Sequence, residues 1–310
     1  MRAAAPLTVL ALVVAVGAVS TSGPLIAYAA APGLAIALWR NAFAAGALVP
    51  AAAATRHREL RHAGRTPLAI AVAAGVALAV HFGTWVPSVK LTTVATATAL
   101  GAVQPVWQAL IAALQGRRTP LRAWLGIVIA VAGAAAATGV DVSGSARAVA
   151  GDALALCGGI AVAGYTALGE RARASLSTTS YTAICYGVCA AVLLAVCLVG
   201  RVSLVGYPTG TWLAIAATTL GPQLLGHSMF NYALHRVSAT TVAMLVLLEV
   251  PGAGLIAWLW LGQRPPAAAW PGLALLLAGV AVVLASGPHR RPPAVLPAVP
   301  PVDPPAGTGR

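Results

Sequence analysis

Acidic residues are nearly missing from this chain. Asp and Glu together number six in 310 residues, and charges of both signs make up only 8%. A soluble domain carries about 25% charged residues. So few charges cannot solvate a protein of this size, and most of its surface must face lipid. The same scarcity removes the paired carboxylates of hydrolases from the apolar stretches. There is no Gly-rich phosphate loop and no nucleophile elbow, so ATP-driven pumping and acyl transfer have no basis in the sequence. Cysteine is also sparse. Cys157, Cys185, Cys189 and Cys197 all lie inside apolar segments, without a Cys/His spacing that suggests zinc. They are expected to pack, not to form disulfides or bind metal. No enzyme activity, cofactor or metal is expected.

What the chain does have is apolar surface, at 59% hydrophobic residues, and a formal charge of +13. That charge could suggest nucleic acid, but the cations sit in short clusters between apolar stretches, as in loops at a membrane surface. The expected partners are membrane lipids and a small-molecule substrate, with no nucleic acid. A homodimer is compatible with the sequence.

Residues 81–133 and 227–279 are two versions of one passage, 146 positions apart and without a gap. His81 matches His227, Pro105 matches Pro251, and Gly116 matches Gly262. Trp124, Gly126 and Gly133 match Trp270, Gly272 and Gly279. A chance match would not keep a His, a Trp and a Pro in register. The chain is a tandem duplication, and duplicated membrane bundles are the usual architecture of secondary transporters.

A spanning helix needs about 20 apolar residues. The fold class expected is all-α membrane protein, with helices near 7–29, 33–54, 67–87, 92–114, 123–140, 151–169, 178–199, 211–234, 238–261 and 268–286. Five helices per copy force the second copy to enter the membrane from the opposite side, so the repeats are inverted. The first repeat takes residues 1–146 and the second 147–287. Residues 288–310, rich in Pro, are expected to form a disordered cytoplasmic tail. The N-terminal run resembles a signal peptide, but it exceeds a typical h-region and falls, under the same shift, on the helix near Asp152. It is read as a retained first helix.

Loop charges set orientation. With the N-terminus inside, fourteen of the 19 cations face the cytoplasm, among them Arg2, Arg56, Arg58, Arg61, Arg65 and Arg118. Lys90, Arg147, Arg201 and Arg264 face outward, and Arg40 lies within a helix. This asymmetry puts both termini in the cytoplasm.

Ionisable groups inside a span are costly and mark function. Four stand out: Arg40, His81, His227 and Glu249. At 1.5 Å per residue, Glu249 sits roughly 16 Å into its helix, near the midplane. His81 is expected toward the outside and His227 toward the inside, near opposite mouths of a pathway. Gln223, His227 and Asn231 fall at i, i+4 and i+8, a polar stripe on one helix face. Trp85 follows His81 by one turn. Gln104 and Gln108 are one turn apart with Trp107 beside them. These faces are candidates to line a hydrated cavity, and the bland alternative is interhelical hydrogen bonding that only holds the bundle together. Thr92, Thr93, Thr96 and Thr98 are weaker candidates, since hydroxyls bond their own backbone readily. Pro105 and Pro251, matched in the two copies, are either packing kinks or hinges at a cavity. An ionised carboxylate in lipid is expensive, so Glu249 is the expected proton-coupling group. The competing reading is a fixed pair with Arg40.

The runs HFGTWVPSVKLTTVATATAL and LGHSMFNYALHRVSATTVAMLVLLEVPGAGLIAWLWLG resemble EamA-type transporters of the drug/metabolite transporter superfamily, over about residues 7–286. The resemblance implies a ten-helix inner-membrane carrier, with helices 1–4 and 6–9 around a cavity and helices 5 and 10 peripheral. Members move small metabolites, often outward. Arg40 matches the family's Arg in helix 2, and Glu249 matches an acid in helix 9. Two departures stand out. Arg117 and Gln263 replace the family's Glu near each repeat end, and its Glu-Pro pair becomes Glu249-Val250-Pro251. The function expected is secondary transport of small metabolites or drugs, outward and coupled to protons. A passive facilitator or channel, or a non-transporting membrane scaffold subunit, are the alternatives.

Overall fold

The computed structural model describes residues 6–92, 94–101, 103–117, 119–138, 145–262 and 269–286. Arg2, Thr93, Arg118, Gly144, Gln263, Arg264 and the tail 288–310 lie outside them. The described chain is helical throughout: α1 (Pro6–Val19), α2 (Ser22–Tyr28), α3 (Gly33–His62), α4 (Arg65–Leu91), α5 (Val94–Gly101), α6 (Gln104–Leu114) and α7 (Leu121–Thr138) in the first half. The second half holds α8 (Ala146–Ala172), α9 (Thr178–Val199), α10 (Thr209–Thr218), a π-helical stretch (Thr219–His227), α11 (Ser228–Ala233), α12 (Ala239–Val246), α13 (Glu249–Leu261) and α14 (Ala269–Ala285).

Six helical stretches are long and apolar enough to cross a membrane, and Leu121–Ala136 and Trp270–Ala285 are shorter apolar helices. Their outward faces are apolar as well. On α4, Val72, Val76 and Val80 follow one another by one turn and stay exposed, while Leu78, Phe82 and Trp85 are buried. A surface of that kind is stable only against lipid.

Local chemistry explains the helix ends. Ser145, Ser177 and Ser238 each accept a backbone N–H of the first turn of α8, α9 and α12, at 3.2 Å. These are N-caps. Gly116 and Gly262, matched in the duplication, both adopt positive φ, 74° and 68°, just after α6 and α13. A residue with a Cβ would be strained there, which is why glycine closes both helices.

Several expected spans are interrupted rather than continuous. The first breaks at Ser20–Thr21, where both hydroxyls bond back to carbonyls of the preceding turn. The fourth breaks between α5 and α6, and the ninth between α12 and α13. Pro105 and Pro251 sit at the starts of α6 and α13, where a missing N–H costs least. The matched prolines thus mark matched breaks. α3 continues to His62, eight residues past the expected end at 54, because TRHRELRH contains good helix formers. α4 reaches Leu91 through Pro87 and α8 begins at Ala146, both longer than expected.

The two halves pack as exchange images. α4 lies against α8, and their duplicates, the π stretch with α11 against α1, lie together in the same way. α3–α9 and α7–α14 each map onto themselves when the halves are exchanged. In α7–α14 the crossing is antiparallel: Gly126 faces Gly279 and Gly133 faces Gly272. One core cluster joins α3, α4, α8 and α9, and Cys185, Cys189 and Cys197 are packed inside it, as expected. Cys157 is exposed on the outside of α8.

Candidate functional site

A central cavity of about 80 Å³ lies where the two halves meet. That is room for several waters, since one needs about 10–15 Å³ by the same measure. Four of its wall pairs are related by the 146-residue register: His81 with His227, Trp85 with Asn231, Gln104 with Val250, and Val19 with Tyr165. The cavity therefore straddles the axis of the duplication. Only the histidines kept their chemistry. The other three pairs diverged into an aromatic or apolar member and a polar or apolar one, so the cavity is symmetric in shape and asymmetric in function.

The two histidines do not stand at opposite mouths. Their ring centroids are 6.3 Å apart. The expected helix ended at residue 87, but α4 runs on to Leu91, ten residues beyond His81, or about 15 Å at 1.5 Å per residue, so His81 lies well inside. His81 Nδ1 is 2.9 Å from the Gly158 carbonyl. That carbonyl can only accept, so Nδ1 carries the hydrogen and Nε2 is left as an acceptor. Gly158 allows the approach, because a Cβ there would come within 2.9 Å of Trp85 Cβ. Trp85 stacks beside His81 with centroids 6.1 Å apart, and Phe82 meets His227 edge-on at 5.2 Å.

Asn231 donates from Nδ2 to the Tyr165 hydroxyl at 2.6 Å. Gln104 donates to Thr166 Oγ1 at 3.3 Å, and that hydroxyl donates in turn to Val162 O. Tyr165 and Thr166 were missed in the sequence, where they sit unmarked in a Gly/Ala-rich run. The register pairs Tyr165 with Val19, an unremarkable apolar residue, so the duplication gave no signal for it. Thr98 also lines the cavity.

Arg40 lies next to the cavity rather than in its wall, and is fully buried. Its Nε donates to Gln223 Oε1 at 3.0 Å and Nη1 to Ser22 Oγ at 3.4 Å. Its guanidinium covers Phe82, with Cζ 4.2 Å from the ring centroid. Nη2 has no hydrogen-bond partner. Gln223 is fixed on the other side by donating to Asn41 Oδ1 at 2.9 Å. Tyr186 donates to the Gln223 carbonyl at 3.3 Å. The expected stripe of Gln223, His227 and Asn231 is thus divided. The π-helical stretch turns Gln223 toward Arg40, while His227 and Asn231 face the cavity.

Glu249, the first residue of α13, lines the cavity. Among the described residues the only ion pair is Arg117–Glu170, at 3.0 Å, so Glu249 and Arg40 are not paired. They are near enough to interact electrostatically all the same. Trp107 and Gln108 do not reach the cavity wall. Gln104 opens α6 and lines the cavity, and Gln108, one turn further along the helix, is buried outside the wall. Trp107 Nε1 and Gln108 Oε1 are buried without hydrogen-bond partners. Pro105 is buried beside Gln104, and Pro251 follows the cavity-lining Val250.

An apolar helical bundle built from two exchanged halves, with interrupted helices around a polar centre, defines a multi-pass membrane protein of transporter type. The chain belongs to the EamA-like transporter family, whose profile matches residues 6–139 and 149–285. That membership makes it an EamA-type protein of the drug/metabolite transporter superfamily. No curated protein is detectably similar to it. A solved structure described only as the crystal structure of a protein shares its fold, with a TM-score of 0.74. The match is 20% identical and covers 90% of this chain and 96% of the other.

Proposed function

We propose that this protein is a secondary transporter of small metabolites or drugs that works by alternating access, exports its substrate, and is driven by a proton gradient. In this reading ten spans cross the cytoplasmic membrane, two inverted repeats occupy residues 1–146 and 147–287, and both termini are cytoplasmic. Substrate binds in the central cavity among His81, Trp85, Gln104, His227 and Asn231. Arg40 and Gln223 support that wall from behind, and Glu249 exchanges the proton. Pro105 and Pro251 are the hinges. The observation that carries the reading is the cavity itself: register-matched residues of both halves share one space that mixes aromatic and polar groups, walled by helices that break at equivalent points. Such a site can be opened to either side by rocking one half against the other. Flux into proteoliposomes under an imposed pH gradient tests it. Saturable uptake with counterflow supports a carrier, and unsaturable flux without counterflow would leave a channel.

Topology gives a direct check. Single cysteines at Arg61 and Gly144 are expected to react with impermeant reagents from opposite sides, inside and outside respectively. Labelling of both from one side defeats the inverted-repeat arrangement.

The histidines give another. His81→Ala and His227→Ala are each expected to lower transport by about tenfold or more, the scale set by one lost oriented contact, with the variants still folded in the membrane. Because the rings lie together, the double variant is expected to be little worse than either single one. Normal transport by both single variants would reduce the pair to packing.

A further inference from the structure

The charge distribution in the cavity wall narrows the substrate class. Among the described residues, no lysine or arginine lines the cavity, and Glu249 is its only acid. That carboxylate has neither an ion pair nor a hydrogen bond to another described residue, and it opens into the cavity. The single nearby cation, Arg40, is withdrawn from the wall. It contacts Gln223, Ser22 and the face of Phe82, keeps its charge, and leaves Nη2 without a hydrogen-bond partner. Aromatic faces supply much of what remains: Trp85, Phe82, Tyr165 and Phe230, with the two imidazoles between them. His81 has given its Nδ1 hydrogen to Gly158, which leaves an acceptor nitrogen.

A wall of aromatic faces and acceptors with one unpaired carboxylate attracts a cation through both ring quadrupoles and direct charge. It offers an anion no donor cation in the wall itself. The size is also limiting, since about 80 Å³ suits a compact head group and not an extended drug.

We propose that the central cavity binds small organic cations, of the alkylammonium class, with the ammonium between Glu249 and the faces of Trp85 and Tyr165. This rests on the transporter reading above and deepens it. Arg40 sits on the Ser22 side, so it repels the positive group toward Glu249 and fixes the orientation of the bound molecule.

The test compares isosteres on the unmodified full-length protein, so it does not depend on a variant folding. Choline and its neutral carbon isostere 3,3-dimethylbutan-1-ol have nearly the same shape. Binding is read by calorimetry on purified protein, with 3,3-dimethylbutanoate as the anionic analogue. The expected result is saturable choline binding, at least tenfold tighter than the alcohol, and no binding of the anion. Glu249→Gln and Trp85→Leu should each weaken choline by tenfold or more, and by more than they weaken the alcohol, so that the preference for choline shrinks. Equal binding of choline and the alcohol, tighter binding of the anion, or no binding of choline overturns the proposal. Flux in proteoliposomes separates this failure from failure of the transporter reading. Choline that binds but does not cross keeps the site and defeats transport. A neutral or anionic analogue that crosses without choline binding keeps transport and defeats the cation site.

Discussion

In Glu249→Gln, pH-gradient-driven accumulation is expected to fall to background, while exchange across the same vesicles continues once substrate is raised enough to saturate the weakened site. The substitution keeps the shape of the side chain and removes its charge. Coupling needs a group that binds and releases a proton as the cavity turns from one side to the other. Glu249 is the one acid in the cavity wall among the described residues. The competing idea is a fixed structural pair with Arg40. A buried pair broken on one side leaves an uncompensated charge and costs about 3–5 kcal/mol. Poor folding, rescued by neutralising Arg40, would then follow. The geometry favours the first outcome. Arg40 makes its hydrogen bonds to Gln223 and Ser22 and covers Phe82, and it forms no ion pair with Glu249. Removing the carboxylate therefore breaks no direct contact of the guanidinium. Unchanged gradient-driven transport in Glu249→Gln would sink the coupling role. Exchange lost even at saturating substrate would show instead that the carboxylate is needed for the transport step itself. Accumulation and exchange that both recover at saturating substrate, with choline affinity lost, are the signature of the cation site alone.

The register of the duplication made much of this legible. A shift of 146 residues, fixed by His81 and His227, marks both histidines as equivalent candidates on one pathway, because an exchange axis relates their positions. It did not by itself say that they meet. Reading each helix as a continuous rod placed them near opposite mouths, since a sequence window shows where apolarity ends and not where the helix does. α4 continues past Pro87 to Leu91 because a proline late in a membrane helix is held by its neighbours, here by close packing of Gly33 on Pro87. Gln104 and Gln108 do fall one turn apart on one face of α6. Only Gln104, at the start of that helix, reaches the cavity. Tyr165 was invisible for a different reason. One hydroxyl in a Gly/Ala run has no periodic signal, and its importance comes only from Asn231, 66 residues away. Arg40 was legible as an oddity, but its partners Gln223, Ser22 and Phe82 come from three separate segments, which no local pattern connects.

Gly133→Leu and Gly279→Leu are each expected to prevent stable assembly, whereas Gly46→Leu leaves the protein folded. In lipid, helices gain little from hiding apolar surface and depend on close packing. α7 and α14 achieve that packing through the four glycines matched by the duplication. A Cβ on Gly126 would lie 2.9 Å from the Gly279 carbonyl oxygen, and one on Gly133 would lie 2.7 Å from the Gly272 carbonyl oxygen. The obstructing atoms are backbone, so no rotamer change can relieve the clash and the helices must separate. Overpacking in ordinary cores costs about 1–3 kcal/mol, and a leucine against backbone on both sides belongs at or above the top of that range. Gly46 meets nothing within 4 Å, so the same change there tests helix propensity and bulk alone. Thermal unfolding in detergent, followed by size-exclusion, distinguishes the two sites. Because Gly126 contacts Gly279 and Gly133 contacts Gly272, variants at matched positions should fail to the same degree. Equal stability of Gly133→Leu and Gly46→Leu would remove the exchange axis from this part of the bundle. Sharply unequal effects at Gly133 and Gly279 would show that only one repeat depends on the crossing.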